Sequence, residues 1–118
     1  MLIRYKKSLE KIAMGLLSFM PEEKDVKKLQ QTIKAYEENP DWQLYLWKEE
    51  DVIGAIGVVI DDQQQALVIQ HITVNPSHRD HGIGRKMVQG IKEVYQDNYT
   101  IFANDVTKDF IDKCEDNL

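Results

Sequence analysis

Between His71 and Lys86 the chain gathers its three histidines, His71, His78 and His81, with Arg79, Arg85, Gly82 and Gly84. An apolar run, residues 66–74, feeds this stretch, and Asn75 and Pro76 turn the chain out of it. Pro76 has no N–H and cannot continue a ladder. Glycines without a Cβ let backbone N–H groups close around an anion. A helix start leaves N–H groups unpaired and carries partial positive charge, which suits a phosphate. The chemistry this spacing supports is therefore a phosphate cradle between a buried strand and a helix.

The elements that must hold such a cradle follow from periodicity. Residues 2–6 alternate and predict a first strand, and Ser8 stands where a helix cap belongs. Leu9, Ile12, Ala13, Leu16, Leu17 and Met20 recur at helical spacing. Pro21 closes that helix and can start the next, carried by Val26, Leu29, Ile33 and Tyr36. The charges of residues 22–28 read as a helix face in water. After the break at residues 39–41, residues 42–48 and 52–60 predict strands, with Gly54 and Gly57 marking a bulge or close backbone approach. Strand 66–74 follows, then a helix over 82–95, a short strand over 99–103, and a last helix with Val106, Phe110 and Cys114 on one face. The order β-α-α-β-β-β-α-β-α predicts an α/β (α+β) single domain over residues 1–118. Three strands with tight turns form an antiparallel meander, and a crossover helix makes the last pair parallel.

Composition excludes several classes. The net charge of −5 disfavours nucleic acid as a partner. The longest apolar-rich run, residues 52–60, is too short to span a bilayer, and no leader pattern opens the chain. The lone Cys114 cannot close an internal disulfide and is expected as a small buried apolar group. A soluble cytoplasmic protein without a membrane partner is the expectation. No third ligand is spaced to join His78 and His81 around a metal. Trp42 and Trp47 read as packing or as lining of an acceptor cleft.

The segment from Val74 to Gly84 resembles the acetyl-CoA motif of the GNAT superfamily of N-acetyltransferases, Arg/Gln-x-x-Gly-x-Gly/Ala. Arg79, Gly82 and Gly84 match it, as does the strand ending Val-x-Pro. The element order is similar to that fold over essentially the whole chain. Residues 1–8 and 11–21 further resemble small acetyltransferase-like proteins encoded beside bacterial riboflavin-synthesis genes. The resemblance implies acetyl-CoA as co-substrate, no metal, and a small-molecule or protein amine as acceptor. It implies that the backbone of Ile72, Thr73 and Val74 pairs with the pantetheine arm. The Val74 N–H then polarises the thioester carbonyl. The N–H groups of Asp80, His81, Gly82, Ile83, Gly84 and Arg85, beyond Arg79, hold the pyrophosphate, and Asn104 contacts the pantetheine region.

Departures from the family's pattern are equally plain. A tyrosine often serves as acid to the leaving thiolate where this chain has Ile111, beside Phe110. Thiolate is a tolerable leaving group around pH 8 without it. The side-chain parity of Val74 on its strand selects Ile72, Gln70 and Val68, none a good base, and puts His71 on the other face. Gln70 could order a water that carries the amine's proton; His71 is the other catalytic candidate. Many relatives continue into a final strand pair that walls the acceptor site. A short version of the fold is the expectation, with that wall either missing or supplied by a homodimer partner. The competing reading is a CoA-binding sensor or regulatory module without turnover. A nucleotide-binding domain is disfavoured, because neither a Gly-Lys-Ser/Thr loop nor an acidic strand end is present.

Overall fold

Short polar turns, residues 49–51 and 62–65, force neighbouring strands to run back on one another. In the computed structural model, which describes residues 1–23, 25–79 and 81–116, this produces the expected meander. The elements are β1 (Leu2–Arg4), α1 (Glu10–Leu17), α2 (Val26–Glu38), β2 (Trp42–Lys48), β3 (Val52–Asp61), β4 (Ala66–Val74), α3 (Ile83–Tyr95), β5 (Thr100–Ala103) and α4 (Lys108–Asp116). They build a five-stranded sheet in the order β1-β2-β3-β4-β5. The first four strands pair antiparallel, and β5 joins β4 in parallel. No helix among the described residues is long and apolar enough to cross a membrane.

Each face of the sheet is covered by one helix pair. Ala13, Leu16 and Leu17 of α1 and Leu29 and Ile33 of α2 pack on Leu44, Leu46 and Ala55. Ile83, Met87, Val88 and Ile91 of α3, with Ile111 of α4, pack on Tyr45, Ile56, Val58, Leu67 and Ile69. Strand residues of opposite parity thus reach opposite layers, as the pleat requires.

Three local expectations change. The first helix begins without a side-chain cap, at Leu9 rather than Ser8, whereas Asp25 caps α2 by accepting from the Lys27 N–H at 2.8 Å. Ile12 and Val26, expected on the buried stripes, are 45% and 62% exposed. Both side chains are open to solvent instead. Val106 precedes α4, and its neighbour Thr107 is the residue that is buried. The expectation for Cys114 falls on a side chain outside the described set.

Gly57 justifies the close approach read from the sequence. An added Cβ there would stand 1.9 Å from the Tyr36 Oη and 2.5 Å from its Cζ. Gly57→Ala should therefore cost about 1–3 kcal/mol, as overpacking of a filled core does. The denaturant midpoint reads this out. Removing only the hydroxyl, with Tyr36→Phe, should not restore it, because the ring carbon still collides.

Candidate functional site

The parallel pair separates early. Ala66, Leu67, Val68 and Ile69 of β4 pair with Thr100, Ile101, Phe102 and Ala103, and the pairing stops there. Thr107, fully buried, closes the crotch: its hydroxyl donates to the Ile69 carbonyl at 2.7 Å and accepts from the Asn104 N–H at 3.2 Å. Beyond this point β4 runs on beside β3 alone and leaves a fork on its other side. Successive residues of a strand turn their N–H and C=O to alternate sides. Asn75 donates to the Ile53 carbonyl on the β3 side, so Ile72 and Val74 address the fork. The Val74 carbonyl is taken by the Arg79 Nε at 3.2 Å, which leaves the Val74 N–H for a ligand. Arg79 thus anchors the loop to the strand end as well as adding charge.

The loop past β4 turns through a short capped segment into the start of α3. Asn75 caps the turn of residues 76–78 by accepting from the Ser77 N–H at 3.0 Å. Gly82 is the N-cap of α3, with φ of 75° and no side-chain capping bond. An added Cβ on Gly82 would meet no atom within 4 Å, so the space above the helix start is open. His81, Arg85 and Lys86 are exposed around it, and Ile83 and Gly84 are buried at the base of the helix. The His78 Nδ1 is buried without a hydrogen-bond partner, with its ring 6.3 Å from that of His81. A left-handed glycine, an uncapped helix start and local positive charge fit a diphosphate group. The Asp80 assignment falls outside the described residues.

A separate opening of about 710 Å³ lies along α3, walled by Leu2, Trp47, Arg85, Gln89 and Glu93. It shares His81 and Gly82 with the loop but faces β1 and β2. It is therefore not the fork, which opens beside β5. Trp47 lines this opening, whereas Trp42 packs edge-on to Tyr36 with ring centroids 5.2 Å apart.

The strand carries one irregularity that changes the reading of its side chains. The register with β3 shifts between Gly57, which faces His71, and Val58, which faces Ile69, so Gln70 is the extra residue of a bulge. Parity reverses across it. Leu67 and Ile69 share the α3 layer with Ile72 and Val74, and Gln70 instead reaches the α2 layer beside His71. The expected grouping of Val68, Gln70, Ile72 and Val74 on one face is thereby corrected.

Gln70 and His71 belong to a hydrogen-bonded chain that sequence reading missed. The Gln70 Nε2 donates to the Tyr36 Oη at 2.9 Å. The Tyr36 Oη lies 2.6 Å from the His71 Nδ1, and the His71 Nε2 lies 3.0 Å from a Glu23 oxygen. The Thr32 hydroxyl donates to the second Glu23 oxygen at 3.1 Å. As a carboxylate, Glu23 only accepts, so the His71 Nε2 carries the proton and Nδ1 accepts from Tyr36. Burial pushes His71 below the ordinary imidazole range; its hydrogen bond to Glu23 pulls it partly back. Burial also pushes the Tyr36 hydroxyl well above its ordinary value. Glu23 was hidden in a charge run, and Tyr36 in a helical stripe. The glycine at 57 was the available signal, since a close approach needs an object.

Asn104 does not stand free at the fork. Its Oδ1 accepts from the N–H groups of Val106 and Thr107, at 3.0 and 2.9 Å, and so leads the chain into α4. Only its amide nitrogen remains for a ligand. Ile111 is buried against α3, so no hydroxyl stands at that position.

A strand fork with inward N–H groups, beside a glycine-capped helix start, has the shape and polarity to take an extended ligand ending in phosphates. Residues 9–114 match the Acetyltransferase (GNAT) family. A Bacillus methanolicus protein named as an uncharacterized N-acetyltransferase in the lysA 3' region is 60% identical over 98% of this chain and 95% of its own. The chain belongs to the Acetyltransferase (GNAT) family. Solved structures share the fold at low identity. AAC(6')-Iy, in complex with the bisubstrate analog CoA-S-monomethyl-acetylneamine, has a TM-score of 0.77 at 11% identity, over 96% of this chain and 84% of that one. The aminoglycoside 6'-N-acetyltransferase AAC(6')-Ih from Acinetobacter baumannii has a TM-score of 0.70 at 17% identity, over 89% and 78%. Acetyl transfer to nitrogen is the class of reaction this membership supports.

Proposed function

We propose that this protein transfers acetyl from acetyl-CoA to a primary amine by direct attack. The observation that carries the reading is the fork, where β4 leaves β5 after Ile69 and turns the N–H groups of Ile72 and Val74 into the gap. A pantetheine arm is an extended chain of amides, and it would pair with this edge as an added strand does. Its diphosphate would then rest on the amides from His81 to Arg85, with the Arg79 side chain behind them. The Val74 N–H would lie where a thioester oxygen gains negative charge, and a preorganised donor there lowers the barrier. Departure of the thiolate proceeds without a protein acid at Ile111. Residues 1–8 and 11–21 resemble RibT, and a place beside riboflavin synthesis is proposed on that resemblance alone.

Two measurements test the proposal together. Acetyl-CoA should raise the melting temperature, since a ligand of the native state stabilises it by mass action. Free CoA thiol should then appear with at least one amine of a panel spanning polyamines, amino acids and aminoglycosides. Tight binding with no thiol release from any acceptor would favour the sensor reading.

A further inference from the structure

Gln70 occupies an unusual place. It is the extra residue of the β4 bulge, one position past the last β4–β5 pair. It is half-buried, and its amide nitrogen points inward to the Tyr36 hydroxyl. Every hydrogen bond behind it runs in the same sense. Gln70 donates to Tyr36, Tyr36 to His71, and His71 to Glu23, whose other oxygen is held by Thr32. The direction is dictated from the buried end, because a carboxylate has no proton to give. Tyr36 spends its one proton on His71 and can only accept from Gln70. The carboxamide therefore cannot turn over without breaking the chain. Its nitrogen is pinned inward, and its Oε1 has no protein partner among the described residues.

We propose that Glu23, His71 and Tyr36 are positioning residues that hold the Gln70 carboxamide oxygen toward the fork as the docking acceptor for the N–H of the incoming amine. The inference rests on the acetyltransferase reading and deepens it, naming how the acceptor nitrogen is recognised. An amide oxygen at this point selects a group that donates, a primary amine or its ammonium form. It favours an ammonium over an alcohol or thiol of the same shape, because a charged donor makes the stronger hydrogen bond. Gly57 is part of the device, because only a residue without a Cβ leaves room for the Tyr36 hydroxyl. Gln70 itself moves no proton in this scheme; it fixes the nitrogen while the proton leaves to solvent water.

Binding rather than turnover gives the test, so that it does not depend on finding the physiological acceptor. Full-length ¹⁵N-labelled protein saturated with CoA is titrated with spermidine, tyramine and lysine amide, and CoA affinity is measured separately for each variant. Gln70→Leu should weaken the best-bound amine about tenfold, the loss of one hydrogen bond to a charged donor, with CoA affinity unchanged. Tyr36→Phe, which keeps the ring, should weaken it about fivefold. In the Gln70→Leu background the same change should have no effect, because Tyr36 acts only through Gln70. The His71 ring nitrogens should report the Nε2–H tautomer. An unchanged amine affinity in Gln70→Leu, full additivity of the two variants, the other tautomer, or no amine binding at all would overturn the proposal. Loss of CoA binding by the wild type would instead remove the acetyltransferase reading beneath it.

Discussion

Gly82→Glu is expected to abolish the stabilisation that acetyl-CoA gives the wild-type protein. At a concentration about a hundred times its Kd, the ligand should add about 2.7 kcal/mol to the native state. For a chain of this length that is on the order of 10 °C in melting temperature. Two separate effects of the substitution should be told apart. Gly82 has φ of 75°, so any side chain there costs about 1–2 kcal/mol of backbone strain. That cost appears without ligand and is shared by Gly82→Ala. The glutamate adds a carboxylate at the start of α3, in the open space where the diphosphate would rest. Repulsion between like charges, and occupation of the N–H groups by the new carboxylate, then remove the ligand's share. Gly82→Ala should lower the ligand-free melting temperature and keep most of the shift. Gly82→Glu should lose the shift entirely. A full acetyl-CoA shift in Gly82→Glu would show that the diphosphate is held elsewhere.

The contrast between Gly82 and Gln70 marks what the sequence could disclose. The shape of the loop was legible because backbone geometry leaves residue-type signatures: proline where a donor is absent, glycine where φ is positive. Strand β4 was bounded correctly at Ala66 and Val74 because its apolar run ends on those signatures. The bulge at Gln70 leaves none. One extra residue in a ladder depends on the partner strand, and a single chain's pattern keeps its period while the faces exchange. Glu23 was equally hidden. Among the charges of residues 22–28 it looks solvated, yet it is 3% exposed. Only the fold brings His71, far along the chain, to its carboxylate. Arg79 was read for its charge, whereas its bond to the Val74 carbonyl follows from where the loop doubles back.

Glu23→Ala should destabilise the protein severely, and the pattern of the loss identifies why. Two buried donors, the His71 Nε2–H and the Thr32 hydroxyl, would lose their acceptor at once. Each stranded donor costs about 1–3 kcal/mol, so about 2–6 kcal/mol is expected at neutral pH. Glu23→Gln keeps one acceptor oxygen and should lose roughly half as much. His71, the partner of Glu23, gives the wild type a pH dependence. Burial lowers the pKa of folded His71 below its unfolded value. Between those two values the unfolded chain binds the extra proton, so stability is complete above about pH 6.5 and falls as pH drops toward the folded value. Replacing His71 with Gln removes that titration, so the gap between its melting temperature and the wild type's should narrow as pH falls through the window. Parallel curves for His71→Gln and the wild type through pH 7.5 to 5 would mean that His71 is already solvated. The directed chain from Gln70 to Glu23 could not then exist, since water would supply each of its members with a partner of either sense.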